Sequence, residues 1–300
     1  VIISDKVKQI LSYYESENPG VKANLTRILM HGKLGGTGKL VILPVDQGFE
    51  HGPIKSFEVN PDAYDPHYHF QLALDSGISA YAAPLGMIEA GASTYAGMLP
   101  LILKLNSSNS LHSKSLASDQ AITASVKDAL RLGCTAVGFT IYPGSAKCFD
   151  MIEEAREIIA EAKSCGLAVV LWSYPRGEGI SKEGETAVDV IAYAAHIAAL
   201  LGANIIKVKL PTNQLEKEKI EVRNIESLSK RIEYVKKSCF AGKRIVVFSG
   251  GESKSMNDIR NEAKEIKQGG GNGSIIGRNT FQRKREEALS MLKDIMDIYM

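Results

Sequence analysis

Short apolar runs alternate with longer stretches whose apolar residues recur every three to four positions, and the alternation repeats eight times. The runs are 39–45 (KLVILPV), 78–83 (ISAYAA), 100–105 (PLILKL), 135–141 (TAVGFTI), 167–172 (LAVVLW), 204–210 (NIIKVKL), 244–248 (RIVVF) and 274–277 (SIIG). Each has the length of a strand buried on both faces. The segments between them carry a helical period, most clearly at 116–132, 145–164, 186–201, 224–238, 255–267 and 283–299. Gly133, Gly166 and Gly202 stand between a helix and the next strand, where a left-handed cap ends a helix without steric cost.

Nearly continuous apolar strands separated by helices imply a parallel sheet covered on its outside. Eight such units in this length predict a (β/α)8 TIM barrel of the α/β class. Spacing alone leaves an open sheet as the alternative. Residues 1–35 read as an added helical extension, broken at Gly32, Gly35 and Gly36, that either covers the barrel bottom or meets another subunit. Residues 36–300 then form one catalytic barrel.

Composition narrows the function. A chain of 300 residues with net charge +2 and no block of lysine or arginine lacks the electrostatic footprint of a nucleic-acid binder. No apolar run reaches the roughly 18 residues of a membrane span, and the start, Val1-Ile2-Ile3-Ser4-Asp5-Lys6, has no basic region before an apolar stretch. Cys134, Cys148, Cys165 and Cys239 lie in or beside apolar segments without paired spacing, which predicts reduced thiols and a cytoplasmic protein.

In such a barrel the active site lies at the carboxyl ends of the strands. Those ends carry Asp46 and Gln47, Lys104 and Asn106, Trp172, Tyr174 and Arg176, Lys207 and Lys209, Ser249-Gly250-Gly251, and Gly277-Arg278. Lys207 and Lys209 come first, because lysines are unusual in a run as apolar as ANIIKVKLP. Strand periodicity puts both on one face, with Ile206 and Val208 turned toward the helices. The bland reading is a strand end whose lysines snorkel to water. The functional reading is a desolvated amine whose pKa is depressed, helped by a second lysine or by Lys104, so that it attacks a ketone. Periodicity does not say which of the two is the nucleophile.

The other positions gain meaning beside that lysine. Tyr174 shares a face with Trp172 and can move protons; without the lysine it is an aromatic lip. Asp46, in LPVDQG, is alone a turn or cap residue, and beside an inward lysine a counter-ion or base. Glycines after the last two strands, one followed by Arg278, predict a phosphate site. The GGGNG run at 269–273 falls on the opposite rim and reads as a turn. His51 either donates to substrate or packs on Pro53. His67 and His69 diverge, so no zinc cluster is expected.

The segments VILPVDQGFEHGP, LILKLN, GCTAVGFTIYPGS, VVLWSYPRG, GANIIKVKLP, VVFSGG and IIGRNTFQR resemble the archaeal-type (DhnA-type) class I fructose-bisphosphate aldolases over residues 21–300, closest to the longer bacterial members. The resemblance implies that Lys207 forms the Schiff base, Tyr174 is the general acid/base and Asp46 lies in the site. It implies that Trp172 contacts substrate, that Ser249, Gly250, Gly251, Gly277 and Arg278 hold the phosphate next to the ketone, and that Arg176 holds the distal one. His51, Lys104 and Lys209 complete the substrate-binding set. No metal and no cofactor is implied, and the assembly is a homo-oligomer, often a decamer. The chain departs from the family where a tyrosine-threonine-glycine run commonly follows the strand-six lysine: here it reads Lys209-Leu210-Pro211-Thr212.

Two other readings fit the same residues. One is a lysine-dependent barrel acting as a transaldolase-like synthase or a thiolase on another phosphorylated ketose. The other is a non-catalytic phosphosugar-binding barrel, against which the joint presence of Lys207, Tyr174 and Asp46 argues.

Overall fold

Alternation within each apolar run sorts its side chains into two cores. Leu40 and Ile42 of the first strand, Ile205 of the sixth and Ile245 and Val247 of the seventh meet inside one cluster. Their neighbours Val41, Leu43, Ile206, Val208, Val246 and Phe248 belong to a second cluster shared with the helices. Period-two alternation with both faces apolar is what a sheet closed on itself and covered outside requires.

The computed structural model describes residues 2–111, 115–218, 225–250 and 254–300. Its barrel strands are β1 (Leu40–Pro44), β2 (Ala80–Pro84), β3 (Leu101–Lys104), β4 (Ala136–Ile141), β5 (Ala168–Ser173), β6 (Ile205–Lys209), β7 (Ile245–Ser249) and β8 (Gly273–Ile275). Each pairs in parallel with its neighbours in sequence, and β8 closes on β1, so the sheet is a closed barrel and not an open one. The eight runs of the sequence analysis correspond to these strands one for one.

Two helices precede the barrel, α1 (Asp5–Ser12) and α2 (Pro19–Met30). Ser4 and Asn18 cap them by accepting the N–H groups of Val7 and Val21. Val7, Ile10, Val21, Leu25 and Ile28 join the core inside the barrel, so the extension plugs its bottom. The Tyr14 hydroxyl completes the plug by donating to the Asn204 carbonyl at 2.5 Å and accepting from the Ile245 N–H at 3.0 Å. The opposite, carboxyl end is left open for a site.

The outer and rim helices follow as α3 (Gln47–His51), α4 (Pro53–Phe57), α5 (Pro66–Ser76), α6 (Leu85–Gly91), α7 (Val126–Arg131), α8 (Cys148–Ser164), α9 (Val188–Leu200), α10 (Leu228–Ser238), α11 (Met256–Gln268), α12 (Arg278–Phe281) and α13 (Arg285–Tyr299). One expectation fails here: the helix predicted over 116–132 begins only at Val126. Ser125 and Asp128 form a reciprocal capping box that fixes this start. The residues before it form a small antiparallel ribbon instead, Ala121–Ile122 against Asn106–Ser107. The apolar spacing of Leu116 misled the prediction, because that side chain is exposed.

Candidate active site

Register brings the chemistry together at one level of the barrel. Lys207 lies opposite Trp172 of β5 and Val247 of β7, and Lys209 lies opposite Ser249. Both lysines open into a cleft at the carboxyl ends of the strands. Asp46, Gln47, Glu50, His51, Tyr174, Arg176, Ser249, Gly250, Gly277, Arg278 and Asn279 also line it.

Lys207 is 4% exposed. Its ammonium lies 5.1 Å from the Trp172 ring centre and 5.4 Å from that of Tyr174. Among the described residues no carboxylate comes within ion-pair distance of it. Burial therefore dominates and lowers its pKa to about 8; Asp46 and Glu50 oppose the shift, while Lys104 and Arg278 add to it. Lys104, across the barrel, is thus one of the cations that the sequence reading invoked. Lys209 is placed differently, its ammonium bonded to Glu185 at 2.9 Å.

Lys104 is buried at the end of β3 and donates to the Asn106 carbonyl at 2.7 Å. Asn106 is itself clamped to Thr140 through both its amide donor and its carbonyl. Lys104 lines a small side pocket that shares Asp46, Glu50 and Tyr174 with the main cleft. Trp172, 1% exposed, does not line the cleft. Its ring forms the floor beneath Lys207 and Lys104, and its indole Nε1 has no hydrogen-bond partner among the described residues.

Tyr174 follows β5, fixed by its N–H to the Ile141 carbonyl at 3.1 Å. Desolvation and then the Asp46 charge raise its pKa well above the ordinary phenol value, against a hydrogen bond with Ser249. The group enters any reaction as a protonated hydroxyl. Asp46 occupies the N-cap position of α3, yet its side chain makes no capping bond and remains on the cleft wall. The turn-residue reading thus accounts for its place in the chain but not for its carboxylate.

Positive charge surrounds this centre. Arg176 bonds Glu50 at 3.1 Å and the Tyr142 hydroxyl at 3.3 Å, with its guanidinium 4.8 Å from the Tyr142 ring centre. Arg278 opens α12 beside Gly277, where a Cβ would come within 2.7 Å of the Pro44 carbonyl. Only glycine lets β8 and β1 approach so closely at the rim. His51 has its pKa lowered, chiefly by burial, so it stands neutral at pH 7. Gly251, expected at the phosphate site, lies outside the described residues.

Sequence reasoning missed Glu50, Tyr142, Glu185 and Asn279. Glu50 was within reach, because it lies one helical turn after Asp46 and shares its face. Tyr142 follows directly on the apolar run 135–141 and carries no spacing signal of its own. Glu185 sits in a loop with no local signal. Among the described residues no group of three or more His, Cys, Asp or Glu side chains converges as metal ligands do. His67 and His69 bond separate carbonyls, those of Ala90 and Ala63.

The model of the DeoC/LacD family aldolases matches residues 40–283, which spans all eight strands. The chain is 38% identical over 299 residues to a probable class 1 fructose-bisphosphate aldolase of Chlamydia muridarum, covering 94% of this chain and 85% of that one. It is 36% identical over 262 residues to a class 1 fructose-bisphosphate aldolase of Thermoproteus tenax, with 87% and 89% covered. Its fold superposes with a TM-score of 0.76 and 34% identity on an archaeal fructose-1,6-bisphosphate aldolase whose catalytic lysine is covalently bound to a carbinolamine intermediate, covering 88% of this chain and 95% of that one.

Proposed function

This chain belongs to the DeoC/LacD family of aldolases, and we infer that it is a class I, Schiff-base-forming fructose-bisphosphate aldolase, a lyase that reversibly cleaves fructose 1,6-bisphosphate to dihydroxyacetone phosphate and glyceraldehyde 3-phosphate. The observation that carries this reading is the buried amine of Lys207, at a pKa of about 8, without a carboxylate partner among the described residues and facing Tyr174.

The chemistry follows from the placement. A neutral Lys207 adds through its nitrogen lone pair to the ketone carbon, and loss of water leaves a protonated imine. That cation accepts the electron pair released when the C3–C4 bond breaks, which is the difficult step in water. Asp46 lies on the same wall as Lys207 and Tyr174, where its charge supports the cationic intermediate. Tyr174, a neutral hydroxyl at the outset, relays the proton: its oxygen takes the C4 hydroxyl proton as its own passes to the Asp46 carboxylate, and the reverse relay later protonates the enamine carbon. Arg278, with Gly277, Ser249 and Gly250, receives the phosphate next to the ketone, and Arg176 and Lys209 face the distal one. Two anchored phosphates turn binding energy into positioning of the carbon between them.

An imine supplies the electron sink by itself, so the reaction is proposed to proceed without a metal or other cofactor. We also propose a cytoplasmic homo-oligomer, up to a decamer. The unpaired thiols of Cys134 and Cys239, buried and pushed up to about 12, suit a reducing compartment. No helix among the described residues is long and apolar enough to cross a membrane. Light scattering on the purified protein tests the assembly.

The decisive experiment is borohydride trapping with dihydroxyacetone phosphate, followed by peptide mass spectrometry. An adduct on Lys207 is expected, absent from Lys207→Ala. A folded protein that neither forms an adduct nor turns over fructose 1,6-bisphosphate overturns the assignment.

A further inference from the structure

Two lysines project from the same face of β6, two residues apart, and both amines reach the ring of Tyr174, at 5.4 and 6.0 Å. Same-face neighbours on a strand are only about 7 Å apart. A ketone bound over Tyr174 is within reach of either. Exclusive use of Lys207 therefore needs a cause beyond distance.

The two amines differ in their partners. Lys207 has no carboxylate within ion-pair distance among the described residues, whereas Lys209 bonds Glu185 at 2.9 Å. Glu185 is 7% exposed, so little water screens the pair. Its position is built rather than accidental. It lies in the short turn Gly184–Thr186, and the Thr186 carbonyl accepts the N–H of Thr212 at 2.7 Å. The Val188 N–H donates to the Gln214 carbonyl at 3.0 Å, and Asp189 accepts the N–H groups of Glu216, Lys217 and Glu218. The loop after β5 is thereby laced to the loop after β6, which carries Lys209 at its start. Lys182 also reaches Glu185, at 3.0 Å, but its side chain is 81% exposed and holds the carboxylate only from outside.

We propose that Glu185 is a positioning residue that confines imine formation to Lys207, by holding Lys209 as a cation bonded to its carboxylate. The idea rests on the aldolase reading above: a second buried lysine beside the nucleophile would compete for the ketone unless an acid keeps it charged. The competing step is the same chemistry. A neutral amine adds to the carbonyl carbon, a C–N bond forms, and a proton moves from nitrogen to oxygen. Uptake of one further proton then releases water and leaves the protonated imine. An amine already carrying its proton has no lone pair for the first bond. Burial lowers the Lys209 pKa and Glu185 opposes that shift, so removing the carboxylate frees the lone pair.

The test compares wild type, Glu185→Gln and Glu185→Asp by borohydride trapping with dihydroxyacetone phosphate and peptide mass spectrometry. Wild type is expected to carry the adduct on Lys207 alone. Glu185→Gln is expected to place at least a tenth of it on Lys209, and Glu185→Asp to restore the wild-type pattern. Lys207→Ala/Glu185→Gln is expected to trap on Lys209 where Lys207→Ala traps nothing. A folded Glu185→Gln protein that labels Lys207 alone overturns the proposal. A second measurement needs no variant: acetic anhydride labelling of wild type across pH is expected to give Lys209 a higher midpoint than Lys207. Equal or reversed midpoints also overturn it. Loss of the wild-type Lys207 adduct would instead strike at the aldolase reading, leaving the labelling order to decide the role of Glu185.

Discussion

The ammonium of Lys207 lies 5.1 Å from the ring centre of Trp172, its register partner on the neighbouring strand. The same indole lies 5.5 Å from the ammonium of Lys104, so one buried ring lies against two buried cations. An aromatic face favours a cation, yet far less than water does, and burial prevails for both lysines.

This balance makes Lys207 a source of both activity and instability. Its amine has a pKa of about 8 in the fold, against about 10.4 in an unfolded chain. Below about pH 8 both states hold the proton, and the fold bears the full desolvation cost. Between about 8 and 10.4 the unfolded state holds a proton that the native state lacks, so this group makes stability rise with pH. Lys207→Met is expected to abolish imine trapping and yet stabilise the protein at pH 7, by on the order of 1–3 kcal/mol. The gain should shrink toward pH 10. Urea denaturation at the two pH values measures it, and a variant less stable than wild type at pH 7 contradicts the account.

The same amine predicts the acid limb of catalysis. Imine formation needs the neutral form, so the trapping rate should rise about tenfold per pH unit below 8 and level off above it. Single-turnover trapping between pH 6 and 9.5 reads this directly. A flat profile would mean that the free amine is not limiting.

Tyr174→Phe separates binding of the ketone from carbon–carbon cleavage. The hydroxyl is the proton carrier, its pKa raised by burial and by Asp46, and the ring packs beside Lys207. Removing oxygen alone should leave the borohydride adduct in place and lower kcat by about 10²–10⁴. Loss of the adduct as well would assign the hydroxyl to imine formation instead.

Much of this centre was legible in the chain, because strand periodicity is a strong signal. The eight strands, the inward lysine pair and the rim glycines all follow from alternation and from the rule that barrel sites lie at strand ends. What failed was non-local. The start of α7 is set by the Ser125–Asp128 box, which outweighs an apolar spacing continued backward through Leu116. The partner of Lys209 arrives from a 3₁₀ turn 24 residues earlier, whose position depends on bonds to the loop after β6. Trp172 could be placed on the right face of β5 but not at the right depth, since depth depends on what the facing strand leaves open.

That opening is Gly138. It lies on β4 against Trp172, and a Cβ built there would fall 2.4 Å from the indole Cζ3 and 2.8 Å from Cη2. No positive φ is involved; the glycine is needed for space alone. Gly138→Ala must push the indole toward Lys207 and Lys104 or force β4 and β5 apart. The ring is 1% exposed, and a close-packed interior gives a side chain little room to shift. Overpacking of this kind costs about 1–3 kcal/mol, and the displaced floor should also misplace the Lys207 amine. The expected result is a lower melting temperature together with trapping slowed at least tenfold. The double variant Gly138→Ala/Trp172→Phe, with a smaller ring, should recover much of the stability. If the single variant traps substrate at the wild-type rate, Trp172 does not set the position of the nucleophile, and its burial under the two lysines serves packing alone.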